Sequence, residues 1–444
     1  MKTILVFGAG KSATVLIDYL KSTVAQKQWK LVVADANLQQ VQAKLNNAPN
    51  TAAVEVNVTD TDERRMLIEA ADIVLSLLPP FLHSYVAKDC VAVGRHLLNA
   101  SYVDESIKQL EAEINSKELL FLCEMGLDPG IDHMSAMQLF DEIRTSGGTI
   151  TSFKSHCGGL VAPESDNNPW HYKISWNPRN IVMAGHAGAA YKENGELVQK
   201  SYNQVFENCK EITVDDLPAL AWYPNRDSLS YMPLYGLEHA TTCIRTTLRY
   251  ADFCKGWDVV VDLDLTNEQD HELVSTCSTY AEWLAAKLQR IEGRELSLRM
   301  YLELYVKEAD HDIILEQFAF LEADSNHALP AGVKCSADIL QHLAEQKLAL
   351  QPTDKDMIVM LHEIEYSKEA VQHSINSSLV VKGDDSLHTA MAKTVGLPLG
   401  IAAKLILEEK IKLKGLQIPT RKEIYEPVLK ELQQYGIVFN ERRS

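Results

Sequence analysis

The 444-residue sequence has eight cysteines and no CxxC pair among them. Their irregular spacing excludes a disulfide framework and any familiar zinc pattern, and it suits a reducing compartment. Positive charge is scarce: 43 Lys and Arg against 61 Asp and Glu leave a net charge of −18. That balance excludes a basic nucleic-acid face and a surface made for acidic membranes. No apolar run is expected to reach the ~20 residues of a membrane span. The first strand is expected to begin at Lys2, so no signal or transit peptide is expected and the cytoplasm is the expected location. Repeats and low-complexity segments are also lacking. What remains is 46% hydrophobic and 23% charged, an ordinary globular composition with length for two or three domains.

Short apolar runs at residues 2–7, 30–35, 54–60, 72–80, 96–102 and 119–123 alternate with helical spacing in the first part of the chain. Near-continuous apolar strands separated by helices indicate a doubly wound parallel sheet of the Rossmann type. After about residue 148 the strands become Thr-rich and alternating, as in "GTITSFKSHCGG", "TTCIRTTLRY" and "WDVVVDLDL", which indicates a second α/β domain with a mixed sheet. From about Asp310 the chain is expected to be mainly helical, ending in a helical C-terminal segment. The expected domains are 1–127, dinucleotide-binding; 128–380, substrate-binding and dimerisation; and 381–444, helices packing back toward the first domain.

The first strand runs into Gly8-x-Gly10-x-x-Ala13 and then into a helix. In that context the first Gly permits the tight turn, the second lets a pyrophosphate approach the backbone, and a small third residue lets helix and strand pack closely. The phosphates would rest on the helix N-terminus. Asp35 ends the second strand, where a carboxylate accepts ribose hydroxyls and repels a 2′-phosphate. Ala36 and Asn37 follow, with no Arg beside them. This favours NAD, and NADP stays possible. The plainer reading of Asp35 is a strand-end turn acid.

"EMGLDPGIDHM", 124–134, places Asp128 before a Pro-Gly turn and Asp132-His133 at a helix start. Turn chemistry with a helix cap accounts for such residues without any function. Residues 155–182 form a long Gly- and Pro-punctuated stretch that includes Cys157, and such loops are uncommon unless functional. Arg226 lies in a Pro-Asn-Arg-Asp turn, and the strand period puts Arg245, Thr247 and Arg249 on one face. Arg forks suit carboxylate ligands, although solvated ion pairs are the commoner use of surface Arg. Asp128, Asp132, His133, His156 and Cys157 could be drawn as metal ligands, but their spacing matches no zinc pattern and no metal is expected.

Five stretches, "GLDPGIDHM", "CGGLVAPESDNNPWHYKISW", "YPNRDS", "IRTTLRY" and "MAKTVGLPLGIAAKLIL", together resemble the glutamate-forming saccharopine dehydrogenase family, most of all the dehydrogenase half of animal aminoadipic semialdehyde synthase. The lysine-ketoglutarate reductase half of that enzyme is not expected here. The resemblance implies an oxidoreductase that converts saccharopine, NAD or NADP and water to L-glutamate and 2-aminoadipate 6-semialdehyde, acting as a homodimer. It implies proton exchange by Asp128, Tyr102 and Cys157, and substrate binding by Ser101, Tyr102, Asp128, Arg226, Arg245, Thr246 and Thr247. It implies cofactor contacts from Gly8, Ala9, Gly10, Lys11, Ser12, Ala13, Asp35, Ala36, Asn37, Asn57, Val58, Leu78, Ala100, Ser101, Leu127, Asp128, Pro129 and Ser175. Two other readings compete. One is an imine-reducing enzyme of polyamine synthesis, making carboxynorspermidine or homospermidine, whose pocket should be richer in acids. The other is a non-catalytic dinucleotide-binding sensor, which needs no Arg clamp.

Overall fold

The alternating apolar and helical stretches of the first part fold into a seven-stranded sheet in a computed structural model describing residues 1–444. Its strands are β1 (Thr3–Phe7), β2 (Lys30–Asp35), β3 (Thr51–Glu55), β4 (Ile73–Ser76), β5 (His96–Asn99), β6 (Leu120–Leu122) and the late strand Gly415–Gln417. All neighbours are parallel, in the order β3-β2-β1-β4-β5-β6 followed by Gly415–Gln417. The order reverses between β1 and β4, and open α/β sheets receive ligands at the carboxyl ends of the strands at such a point. β3 lies earlier than the expected 54–60. Asp60 instead caps the helix Thr61–Glu69, accepting the N–H groups of Asp62 and Glu63.

The chain divides into two units, the first comprising 1–150, 367–371 and 379–440. This division differs from the three expected segments. The helix Ile131–Thr145 joins the first unit because the C-terminal helix Lys422–Leu432 packs on it, with Tyr425 Oη donating to Asp141 Oδ2 at 2.6 Å. The helix Ala390–Leu407 lies against the helix Thr14–Lys27. Gly396 and Gly400 make that approach possible: a Cβ at 396 would stand 2.9 Å from the Leu16 backbone N, and one at 400 would stand 2.7 Å from the Tyr19 ring. By length and apolar composition Ala390–Leu407 could cross a membrane, contrary to the expectation that no run qualifies, yet 83% of that window is buried inside the protein.

The second unit comprises 151–366, 372–378 and 441–444. The second sheet contains β7 (Thr149–Val161), β8 (Ala189–Glu193), β9 (Glu196–Lys200), β10 (Lys210–Ile212), β11 (Leu220–Pro224), β12 (Arg226–Asp227), β13 (Thr242–Tyr250), β14 (Asp356–Lys368), β15 (Val371–Lys382) and the strand Asn440–Arg443. It is mixed: β13 runs parallel to β7 and antiparallel to β11. Two expectations are corrected here. The stretch "WDVVVDLDL" is mostly helix, within Ala251–Asp262, because Phe253, Cys254, Trp257, Val260 and Val261 bury one face at helical spacing. The stretch after Asp310 also contains β14 and β15. Residues Met357 to Met360 are buried on both faces of the sheet, so no alternation marks them as a strand.

Candidate functional site

The glycine turn is built as a phosphate cradle requires. Gly8 has φ of +100°, and a Cβ there would lie 2.7 Å from the Leu77 carbonyl oxygen, so no other residue fits. Nothing lies within 4 Å of a Cβ placed on Gly10, which leaves its face open for a pyrophosphate. Lys11–Ala13 make a single tight turn into the helix Thr14–Lys27, with Ala13 buried. Asp35 Oδ2 accepts the Ala9 N–H at 2.7 Å and Oδ1 accepts the Asn37 N–H at 2.9 Å, fixing a carboxylate at the end of β2. Asn37 caps the next helix through the Gln40 N–H, and Ala36 is exposed. Gln40 and Lys44 were not foreseen. Gln40 Nε2 donates to the Ala9 carbonyl at 2.7 Å, and Lys44 Nζ donates to the Gly10 carbonyl at 2.6 Å. Burial pushes the Lys44 ammonium down to about 8, against the pull of Asp18 and Asp35. Open turn, helix start and anchored acid fit an adenine dinucleotide.

Further along the carboxyl side of this sheet, Asn57 and Val58 follow β3 and Leu78 follows β4. Ala100 and Ser101 follow β5, where His83 joins Ser76 to Ser101: Nδ1 lies 2.8 Å from Ser76 Oγ and Nε2 lies 2.9 Å from Ser101 Oγ. Burial pushes His83 down to about 4, so the imidazole is neutral at neutral pH. Tyr102 Oη donates to Asp128 Oδ1 at 3.2 Å. The two expected proton carriers of this unit are therefore in contact, and both are partly solvent-accessible. Leu127 and Pro129 flank Asp128 and are buried. Gly130, not Asp132, is the N-cap of Ile131–Thr145, and Asp132 Oδ1 accepts the Gly130 N–H at 2.5 Å.

In the second unit the register of β7 with β13 aligns Ser155 with Arg245, His156 with Thr246, and Cys157 with Thr247. Cys157 and Thr247 are thus lateral neighbours, and Tyr223 of β11 pairs with Thr247 on the other side. The Arg245 side chain is 1% exposed and lies over the Tyr231 ring, 4.5 Å from its centre. Arg226 is exposed in β12, held next to β13 because the Asn225 N–H donates to the Arg245 carbonyl at 2.8 Å. Thr246 points to the opposite face from Arg245 and Thr247. Its hydroxyl lies 2.7 Å from His156 Nδ1, whose Nε2 lies 3.0 Å from Glu363 Oε2. Burial pushes His156 below its ordinary value, with Glu363 opposing. Arg249, on the Arg245 face by period, is buried among Tyr172, Tyr223 and Phe253. Ser175 is buried beside Ile174, which bridges to Ala349.

Comparison with known proteins gives the family of both parts of the chain. The family model "Saccharopine dehydrogenase NADP binding domain" matches residues 4–122, and "Saccharopine dehydrogenase C-terminal domain" matches 126–437. The chain belongs to the saccharopine dehydrogenase family. It is 32% identical to "Saccharopine dehydrogenase [NADP(+), L-glutamate-forming]" of Saccharomyces cerevisiae, covering 99% of both chains. Over 99% of this chain it is 33% identical to "Alpha-aminoadipic semialdehyde synthase" of Arabidopsis thaliana and 35% identical to the mitochondrial protein of that name from Rattus norvegicus. It spans a little under half the length of those two synthases, 44% and 47%. The solved apo structure of the Saccharomyces cerevisiae L-Glu-forming saccharopine dehydrogenase superposes with a TM-score of 0.89 at 30% identity, covering both chains completely. In this saccharopine dehydrogenase family chain the fold expected from the sequence, a Rossmann-type sheet followed by a mixed-sheet α/β part, is the fold observed.

Proposed function

We propose that the chain oxidises saccharopine with NAD and water to L-glutamate and 2-aminoadipate 6-semialdehyde, in lysine metabolism. The observation that carries this reading is the Tyr102–Asp128 hydrogen bond at the carboxyl side of the sheet that bears the glycine turn. A bound nicotinamide would supply the hydride acceptor. The chain's own groups then have two tasks. Asp128 accepts the proton of the substrate's secondary amine, which must be neutral before its neighbouring carbon can lose hydride, and Tyr102 shares that proton through its hydroxyl. Water then adds to the imine carbon and loses one proton to solvent; as the C–N bond breaks, the same pair gives its proton to the departing glutamate nitrogen and takes the carbinolamine hydroxyl proton as the aldehyde C=O forms. Arg226 and Arg245 hold substrate carboxylates by paired hydrogen bonds. Cys157, beside Thr247, is a further proton carrier.

Three fungal relatives carry NADP(+) in their names, whereas Asp35 argues for NAD. Its carboxylate accepts two backbone N–H groups, which hold it at the end of β2. Absorbance at the NADH band with saccharopine, run with NAD and NADP in parallel, tests both parts. The expected kcat/KM ratio is at least about tenfold in favour of NAD, equivalent to about 1.4 kcal/mol. Faster turnover with NADP would keep the reaction and discard the role of Asp35. No turnover with either would discard the reaction.

A further inference from the structure

Tyr102 and Asp128 stand on different loops, one after β5 and one after β6, and each loop must be held to a fraction of an ångström for their hydrogen bond to persist. Behind them lie three ionisable side chains with almost no exposure: Glu124 at 4%, His133 at 0% and Asp132 at 2%. Burying two carboxylates is costly unless each oxygen finds a donor, and the donors here are not arbitrary. Glu124 Oε1 accepts the N–H of Val103, the residue after Tyr102, at 3.1 Å. Glu124 Oε2 accepts from His133 Nε2 at 2.9 Å. His133 Nδ1 lies 3.6 Å from Asp132 Oδ2. Asp132 Oδ1 accepts the N–H of Gly130, two residues after Asp128. Three hydrogen bonds and one longer His133–Asp132 contact thus link one site-bearing loop to the other. Glu124 also holds a left-handed backbone, φ +59°, with its N–H on the Ser101 carbonyl at 3.0 Å. Apolar side chains of similar volume would leave the Val103 and Gly130 N–H groups without these acceptors, so packing alone does not account for the polar trio.

We propose that Glu124, His133 and Asp132 form a buried clamp that sets the Tyr102–Asp128 hydrogen bond, and that all three are positioning residues for proton exchange. The clamp's effect on turnover rests on the saccharopine reading above; its effect on the two loops does not. His133→Leu keeps the volume and removes the polar contacts to Glu124 and Asp132. His133→Gln keeps a donor where Nε2 stands. Steady-state kinetics and amide hydrogen exchange on the full chain read the result. In His133→Leu, kcat is expected to fall by about 10- to 100-fold with the dinucleotide KM within about twofold, and exchange is expected to quicken in segments 101–104 and 126–132 together. In His133→Gln, kcat is expected to recover to within about fivefold of native and both segments to regain protection. Native kcat in His133→Leu overturns the clamp, as does loosening of one segment alone. Equal losses of kcat, dinucleotide binding and melting temperature in both variants also overturn it, since that is the signature of general unfolding. If the native protein fails to turn over saccharopine, the proposed reaction falls, and joint loosening or its absence in the exchange data still decides the clamp.

Discussion

Asp258 on the helix Ala251–Asp262 has one carboxylate oxygen buried with no hydrogen-bond partner. Burial, then Asp262 and Glu207, push its carboxyl from the ordinary 3.8 up to about 7, against Lys200. Between those values the folded chain keeps a proton that the unfolded chain has released. Its stabilising effect is therefore complete below the unfolded value and is lost as pH rises through about 7. Asp258→Asn should raise unfolding free energy at pH 8 by about 1–3 kcal/mol, with the gain vanishing toward pH 4; thermal melts across that range check the sign. Arg245→Lys should act on binding. It gives up the guanidinium fork and the stacking on Tyr231, so KM for saccharopine should rise about tenfold or more while the dinucleotide KM stays put. At this scale the sequence was legible wherever a period or a motif reports position. Period two placed Arg245 with Thr247, and the strand-turn-helix context placed Gly8, Gly10 and Asp35. It was silent where a residue's partner is chosen by loop geometry. Nothing local marks His83 as the link between Ser76 and Ser101, nor Lys44 as a donor to Gly10.

Helices and strands were legible in proportion to how one-sided their burial is. The helix Lys422–Leu432 has a clear apolar face. "WDVVVDLDL" carries consecutive Val residues that suit a strand by propensity, and packing against Trp170 and Trp283 in one core decided for a helix. The start of β14 was lost for the converse reason, since a strand stretch covered on both faces shows no alternation. The contact between Ala390–Leu407 and Thr14–Lys27 has a test of its own. Gly396→Val would drive a branched side chain into the Leu16 backbone, and it should lower the urea midpoint by an amount equal to about 1–3 kcal/mol at unchanged m. An unchanged midpoint would mean that the helices can part to admit the side chain.

For the whole molecule, the net charge of −18 would oppose the proposed substrate with its several carboxylates at long range, while Arg245, in the binding role proposed above, would attract it at short range. Salt screens the first far more than the second, because screening acts over about 10 Å at 0.1 M. kcat/KM for saccharopine should therefore rise as ionic strength goes from about 0.01 to 0.1 M; a steady fall would show that exposed cations such as Arg226 dominate capture. The strand Gly415–Gln417 pairs with β6 and finishes the sheet that begins at Thr3. On the ribosome this sheet's last strand and the helices Ala390–Leu407 and Lys422–Leu432 arrive after residues 151–378 have been made. The nascent dinucleotide-binding half must wait with one edge open and part of its apolar surface uncovered, in need of a chaperone or of residual structure to protect it. Chains stalled just before residue 415 should stay protease-sensitive across β5 and β6, and those released beyond Lys422–Leu432 should not.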